Sequence, residues 1–281
     1  MQPIFDHHCH VLEHRPCGNG LKVLTLRAVH TPFACTPGQF VMVDLPSTQF
    51  FFRRPFSVLA TYEDNVFELF YKVVGQGTKM MAQLAPGDEV NVLAPLGGEF
   101  TPPTSPETTL LIGGGIGIAP LYFLARQLKQ QGQPLPKCFY GVRSQQEIGL
   151  LSELTEVFGS QHLFISTDDG SYGSQGNVCQ LLAQHPEIVL AAQEAYICGP
   201  TVMMDASVQL LKQMNPNIQI QVSLEEHMPC GIGACTGCVV ERTDGQLPSK
   251  VCLDGPVFNA EVIAWPSQKQ QATQELKLCS R

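Results

Sequence analysis

The chain has 281 residues, long for a single domain, and 44% of them are hydrophobic, which supplies real cores and argues against wholesale disorder. Its 17 Lys and Arg against 25 Asp and Glu leave a net charge of −8, which argues against a nucleic-acid surface, because phosphate backbones are held by clustered basic residues. Eleven cysteines, an odd number at modest density, fit poorly with a disulfide-stapled secreted domain, and no apolar run of about 18 residues predicts a membrane span.

From the N-terminus, Met1 to Cys17 lacks the basic and apolar regions of a signal peptide, so the reducing cytoplasm is the expected compartment. His7-His8-Cys9-His10, with His14 and Cys17, reads as an exposed, frayed terminus rather than a metal site, because no fixed ligand spacing organises it. Short strands are predicted at Leu21–Ala28, Gln39–Leu45, Val66–Val73 and Glu89–Ala94, broken by Pro37-Gly38 and Pro86-Gly87, with one short helix at Gly77–Leu84. That pattern suggests an antiparallel barrel or sandwich. Prolines 102, 103 and 106 then interrupt every periodicity and mark a domain boundary.

Beyond it the rhythm becomes strand, turn, helix. Strands are predicted at Thr108–Ile112, Lys137–Val142, His162–Thr167, Glu194–Cys198 and Ile218–Ser223. Helices are predicted at Ala119–Gln131, near Gln145–Val157, at Asn177–Gln184 and at Thr201–Met214. Alternation of this kind implies a parallel sheet wrapped by crossover helices. Ser223–Phe258 is rich in Gly and Cys with little apolar periodicity. The expected units are residues 1–102 (β), 103–222 (α/β), 223–262 (a small cysteine domain) and 263–281 (a disordered tail).

Cys230, Cys235, Cys238 and Cys252 are spaced C-x4-C-x2-C-x13-C. This is the plant-type spacing of a [2Fe–2S] centre, and a loop wrapping such a cluster turns backbone amides toward sulfur. Gly231, Gly233 and Gly237 are expected to supply the left-handed conformations this requires. A structural zinc site is the alternative, but its paired C-x2-C knuckles differ from the four-residue first gap here.

Two further groups of residues suit phosphate. Arg54, in Arg53-Arg54-Pro55-Phe56-Ser57, has a guanidinium that matches an oxyanion, and Ser57 could bond a flavin nitrogen; the ordinary alternative is a surface turn with a salt bridge. Gly75-Gln76-Gly77-Thr78 opens a predicted helix whose amides could face a pyrophosphate. Gly113-Gly114-Gly115-Ile116-Gly117 joins a strand to a helix without being a G-x-G-x-x-G fingerprint, so it either approaches a dinucleotide or only permits close packing. Cys198-Gly199-Pro200 ends a later strand at the edge where α/β sheets place ligands, although a lone Cys198 is more often a buried small apolar group.

Taken in order, Arg-Pro-x-Ser, Gly-x-Gly-Thr, the Gly113–Pro120 turn and Cys-Gly-Pro resemble the ferredoxin–NADP reductase superfamily. Ser223-Leu224-Glu225-Glu226 before Cys230, and Cys252-Leu253-Asp254-Gly255-Pro256-Val257-Phe258, look like its branch of electron-transfer subunits of NAD-dependent (class 1B) dihydroorotate dehydrogenases. The resemblance covers roughly residues 20–260. It implies an FAD-binding antiparallel β-barrel, a parallel-sheet NAD-binding α/β domain and a small C-terminal [2Fe–2S] domain. Carried over by position, it places Arg54, Pro55, Phe56, Ser57, Phe70, Tyr71, Lys72, Gly77 and Thr78 at FAD. Gly113, Gly114, Gly115, Gly117, Cys198, Gly199 and Pro200 go to NAD, with Ser57 and Cys198 as the catalytic pair.

The resemblance also separates the two nicotinamide cofactors. NADP-using relatives carry Ser-Arg where this chain has Thr167-Asp168-Asp169, whose carboxylates would repel a 2′-phosphate, so NAD is expected. The family usually has Arg at the position of His227 and a small residue at that of Pro229. The implied function is a wire in pyrimidine biosynthesis, from the FMN of a dihydroorotate-oxidising partner through the cluster and FAD to NAD, in a heterotetramer of two chains of each kind. Alternatives are a subunit of a ferredoxin:NADP oxidoreductase, sulfide dehydrogenase or sulfhydrogenase, or a non-enzymatic iron–sulfur interaction module.

Overall fold

The computed structural model describes residues 3–45 and 52–268. Six strands close an antiparallel barrel in the order β1-β2-β5-β4-β3-β6. They are β1 (Phe5–Gly18), β2 (Leu21–Ala28), β3 (Phe40–Asp44), β4 (Arg54–Thr61), β5 (Val66–Lys72) and β6 (Glu89–Leu96), with helix α1 (Gln76–Met81) between the last two. The N-terminal segment is thus a 14-residue strand, not a frayed end. His7, Cys9 and Val11 are buried while the intervening side chains face outward, the period-two pattern of a barrel wall. β1 pairs with β2 on one side and β6 on the other, so it closes the barrel and leaves no open edge.

The second unit alternates β7 (Thr109–Gly114), α2 (Ile118–Gln130), β8 (Lys137–Val142), α3 (Leu151–Phe158), β9 (Leu163–Thr167), β10 (Ser174–Gln175), α4 (Val178–Ala183), α5 (Pro186–Ala191), β11 (Glu194–Cys198), α6 (Thr201–Met214) and β12 (Gln219–Ser223). The predicted helix near Gln145–Val157 is instead a 3-10 turn at Gln145–Glu147 followed by α3. Between them a Cβ at Gly149 would lie 2.8 Å from the Phe70 ring, so the backbone there is committed to packing against the barrel. Asn177 caps α4, accepting from the Gln180 amide at 3.0 Å while the Gln180 side chain accepts from the Asn177 amide at 2.9 Å.

The sheet runs β10-β9-β8-β7-β11-β12 in parallel. Chain order reverses between β7 and β11, which makes that pair the topological switch point, the crevice where open α/β sheets hold ligands. The chain then forms a ribbon of β13 (Val239–Val240) and β14 (Ser249–Lys250), helix α7 (Val251–Asp254) and β15 (Val257–Asn259). β15 joins the large sheet as its antiparallel edge beside β12, so the cysteine segment and the α/β unit share one sheet.

Residues 263–268, expected in a disordered tail, are packed. Trp265 is 1% exposed with Nε1 donating to the Ala260 carbonyl at 2.9 Å, and Ser267 bonds Asp205 through its amide at 2.9 Å and its hydroxyl at 2.7 Å. Residues 269–281 of that predicted tail lie outside the described residues. Barrel and α/β unit are held together by Arg15–Glu153 at 2.5 Å and Lys72–Glu147 at 2.9 Å, with Arg126 donating to the Thr61 carbonyl at 2.9 Å.

Candidate functional site

Arg53 and Arg54 begin as neighbours and end in different roles. Arg53 makes a bidentate pair with Asp6 of β1, at 2.8 and 2.7 Å, the ordinary salt bridge weighed for this motif. Arg54 donates to the Phe52 carbonyl at 2.6 Å, and its side chain crosses the start of α1, where a Cβ on Gly77 would lie 3.0 Å from Nε. Strand β4 and the Gly75–Thr78 turn, some twenty residues apart in sequence, are therefore brought face to face. The Thr78 hydroxyl accepts from the amides of Val74 at 2.9 Å and Gly75 at 3.0 Å and donates to the Gly75 carbonyl. It thereby shapes the turn. Pro55, Phe56 and Ser57 are half-buried along β4.

Phe70, Tyr71 and Lys72 point three ways. Phe70 packs against Gly149 and Leu21 at the α/β unit. Tyr71 points into the barrel, where its hydroxyl meets His14 Nε2 at 2.9 Å. The Lys72 ammonium is paired with Glu147. Backbone atoms of these three remain the groups that could meet a nucleotide along β5.

The Gly-rich turn divides by position. A Cβ at Gly113 would meet Ile118 at 2.9 Å, at Gly114 Met203 Sδ at 2.4 Å, and at Gly117 the Cys198 carbonyl oxygen at 2.4 Å. Gly114 and Gly117 let the β7 turn touch the segment after β11, and Gly113 lets the start of α2 close on the end of β7. Gly115 differs: its φ is +55° and a Cβ there would meet nothing within 4 Å. Its carbonyl accepts from the Tyr140 hydroxyl at 3.1 Å, while the side a Cβ would occupy is open for a ligand.

Across the switch point, burial pushes the Cys198 thiol up to about 12, reinforced by the Glu225 charge, so it stays a neutral thiol. The hydroxyl of Ser223, its β12 register partner, works against that rise. Neither Ser223 nor Glu225 was singled out near Cys198 from sequence, because strand pairing, not spacing, brings them there. Thr167 is fully buried, its hydroxyl donating to the Tyr172 carbonyl at 2.9 Å. Asp169 accepts from the Ser171 amide and hydroxyl, which holds its carboxyl below the usual range. Asp168 and Asp169 both stand exposed beyond the end of β9, with Asp169 engaged by Ser171.

The cysteine loop carries left-handed backbone at Gly231 (φ +72°), Gly233 (φ +78°) and Thr236 (φ +55°). The third such position is Thr236 and not Gly237 as expected. Gly237 is required for space, since a Cβ would lie 2.8 Å from Pro229. Pro229, a departure from the family pattern, is thus accommodated by the glycine opposite.

The residues present fit an iron–sulfur cluster on two observations. Amides point at sulfur: Gly233 N–H donates to Cys252 Sγ at 3.1 Å and Cys252 N–H to Cys238 Sγ at 3.4 Å. At Cys230 burial would raise the thiol pKa, but the Ile232 amide, the Cys235 side chain and the amides of Cys235 and Ala234 bring it down to about 7. Both effects favour the thiolates that ligate iron. Burial, with Cys238 beside it, pushes Cys252 up to about 12 in the absence of a metal charge. Cys238 and Cys252 are buried, Cys230 is half-buried and Cys235 is exposed, so the ligand set runs from core to surface.

The loop is seated on the barrel. A Cβ at Gly231 would meet Met42 Cγ at 2.7 Å, and Met42 is the register partner of Pro55. At the other end of the segment the Gly98 amide donates to the Gly255 carbonyl at 2.5 Å.

A closed six-stranded barrel, a doubly wound α/β unit with its switch point turned to two Gly-rich turns, and a four-cysteine loop packed on the barrel define a ferredoxin–NADP reductase-type oxidoreductase with an iron–sulfur domain. Family models agree. Residues 111–209 match the oxidoreductase NAD-binding domain, and 225–264 match the iron-sulfur cluster binding domain of dihydroorotate dehydrogenase B. The chain is 39% identical over 234 residues to the dihydroorotate dehydrogenase B (NAD(+)) electron transfer subunit of Listeria innocua, covering 82% of this chain and 87% of that one. It is 34% identical over 259 residues to the Bacillus pumilus subunit, covering 90% and 96%. A solved NADH-dependent reduced ferredoxin-NADP oxidoreductase superposes with TM-score 0.76 at 28% identity, over 94% of this chain and 92% of that one. A ferredoxin NADP+ reductase from Neisseria gonorrhoeae, with bound FAD and NADP, shares the fold at TM-score 0.64 and 16% identity, over 80% of this chain and all of that one. The chain belongs to the family of dihydroorotate dehydrogenase B (NAD(+)) electron transfer subunits.

Proposed function

We propose that this chain passes electrons between a dihydroorotate-oxidising catalytic subunit that carries FMN and NAD+, using FAD and one [2Fe–2S] cluster of its own, in the cytoplasm and in a heterotetramer of two chains of each kind. The flavin exchanges hydride with nicotinamide and single electrons with the cluster, which is why both groups are needed on one chain. Arg54 clamps the FAD pyrophosphate from one side, while the first-turn amides of α1, before the Lys79-to-Gly75 bond, meet it from the other. Ser57 offers a hydroxyl to the flavin ring. The Gly115 turn and Gly199-Pro200 receive the nicotinamide nucleotide at the switch point, beside the neutral Cys198 thiol. Asp168 accepts from a ribose hydroxyl and disfavours a 2′-phosphate.

The observation that carries the reading is the seat of the cysteine loop. Gly231 packs on Met42, the cross-strand neighbour of Pro55, so loop and proposed flavin segment share one patch of barrel wall. Cys235 opens outward, flanked by Ile232 (50% exposed) and Leu253 (44% exposed), an apolar rim suited to a protein partner. Among the described residues no helix is long and apolar enough to cross a membrane.

Anaerobic titration of the purified chain with NADH tests this. Bleaching of a flavin band followed by the electron-spin resonance of a reduced cluster is expected. A protein that holds cluster without flavin would instead support an interaction module. A second reading, a reductase subunit serving ferredoxin and NADP, is favoured by the 0.76 superposition. Turnover with NADPH comparable to that with NADH would establish it.

A further inference from the structure

The histidine-rich N-terminal segment is the strand that closes the barrel, and its outward side chains converge. We propose that His8, His10 and Glu89 form a binding site for a divalent transition-metal ion of the zinc class on the outer wall of the barrel. Strand alternation puts His8 and His10 on the same face of β1. The β1–β6 register sets Glu89 directly opposite His10 and Asn91 opposite His8. The two imidazoles aim their Nε2 atoms at different oxygens of one carboxylate: His8 to Oε2 at 3.5 Å, His10 to Oε1 at 3.5 Å. Three ligand atoms, one from each residue, lie within 4.8 Å of one another.

The ordinary account is a pair of exposed His–Glu contacts. Those distances are long for charge-assisted hydrogen bonds, which close to about 2.7–2.9 Å. They match the edge of a tetrahedron around a metal with ligand bonds of about 2.0–2.1 Å, which is roughly 3.3–3.4 Å. His8 Nδ1 lies 3.4 Å from Asn91 Oδ1, so an Nδ1–H proton turned there leaves the Nε2 lone pair facing Glu89. The His30 ring stacks on His8, with centroids 6.1 Å apart and planes 12° from parallel. Two imidazoles and one carboxylate, with water completing the shell, suit Zn2+ and exclude the hard, oxygen-only coordination of Ca2+ or Mg2+.

The site is apart from the redox groups. Glu89 and Leu96, against which the cysteine loop packs, are the two ends of β6, about 23 Å apart at roughly 3.3 Å per residue. The ion clips β1 to β6, the pairing that closes the barrel, and so stabilises the folded chain by mass action without entering turnover.

The test uses the cofactor-loaded chain without an added histidine tag, dialysed against Zn2+, with zinc and iron counted together and the thermal midpoint followed. One zinc per chain at undiminished iron is expected, with a midpoint rise on zinc addition. His10→Gln and Glu89→Gln should each weaken binding about tenfold or more, and Asn91→Leu about tenfold, as for loss of a group that orients a ligand. All three positions face solvent, and retained flavin and cluster absorbance certifies folding. Zinc uptake unchanged in a His8→Gln/His10→Gln variant, no uptake by the wild type, or zinc gained only as iron is lost would each overturn the proposal.

Discussion

Gly115 and Gly117, two residues apart, separate the packing role of the Gly-rich turn from its ligand role. A methyl at Gly117 would sit 2.4 Å from the Cys198 carbonyl oxygen, a backbone contact that cannot rotate away. Gly117→Ala must therefore push the β7 and β11 turns apart, at a cost of about 1–3 kcal/mol typical of overpacking. Gly115→Asn should cost well under about 1 kcal/mol, because asparagine visits the left-handed region readily and the space beside φ +55° is open. That same side chain would stand where the nucleotide's phosphates are to pass. Loss of one close backbone approach, about 1.4 kcal/mol, is tenfold in affinity. The assay pairs thermal denaturation of the cofactor-loaded chain with the KM for NADH, using an artificial electron acceptor. Gly117→Ala should lose stability, whereas Gly115→Asn should keep its midpoint and raise KM about tenfold or more. If Gly115→Asn leaves KM unchanged, the turn is a packing device and the nicotinamide assignment fails.

Three other outcomes follow from the same geometry. Arg54→Ala removes a charged hydrogen-bond donor worth about 1.5–3 kcal/mol, so FAD should dissociate roughly 10- to 150-fold more readily by fluorescence on dilution; full flavin occupancy would refute its role. Asp168→Ser should raise the NADPH-to-NADH ratio of kcat/KM by only about fivefold, since an exposed carboxylate acts through water-like dielectric. An unchanged ratio would place the ribose elsewhere. Burial holds His7 and His14 below their ordinary pKa of 6.5, so both are neutral in the folded chain and take up protons more readily when unfolded. Their contribution is intact above about pH 6.5 and is lost as pH falls below it, so the urea midpoint should drop on acidification, and less steeply in His14→Gln.

What the sequence made legible was local. Lys137–Val142, Glu194–Cys198 and Thr201–Met214 fall where the sequence places them, because a continuous apolar run defines a strand buried on both faces and one apolar stripe defines the helix. Cys230, Cys235 and Cys238 could be proposed as ligands from sequence because they crowd into one loop, with Cys252 following at a spacing that suits the same cluster. β1 was not, since its buried positions are His7, Cys9 and Val11, which spell a wall only once β2 and β6 stand beside it. Alternation places Phe70 and Tyr71 on opposite faces but does not say that one face is a domain interface and the other the barrel interior. Thr236 rather than Gly237 is left-handed, and Gly237 is needed for space instead, because Pro229, eight residues before it, fills the room a Cβ there would take.

The central claim is that electrons cross between a catalytic partner and NAD+ through the cysteine loop of this chain. Dihydroorotate-dependent NAD+ reduction by the native complex, compared with one carrying Cys235→Ser, measures it directly. NADH formation by the wild type should disappear in the variant while NADH-driven flavin reduction persists. NAD+ reduction that survives loss of the cluster, or a wild-type complex that does not oxidise dihydroorotate, would contradict the account.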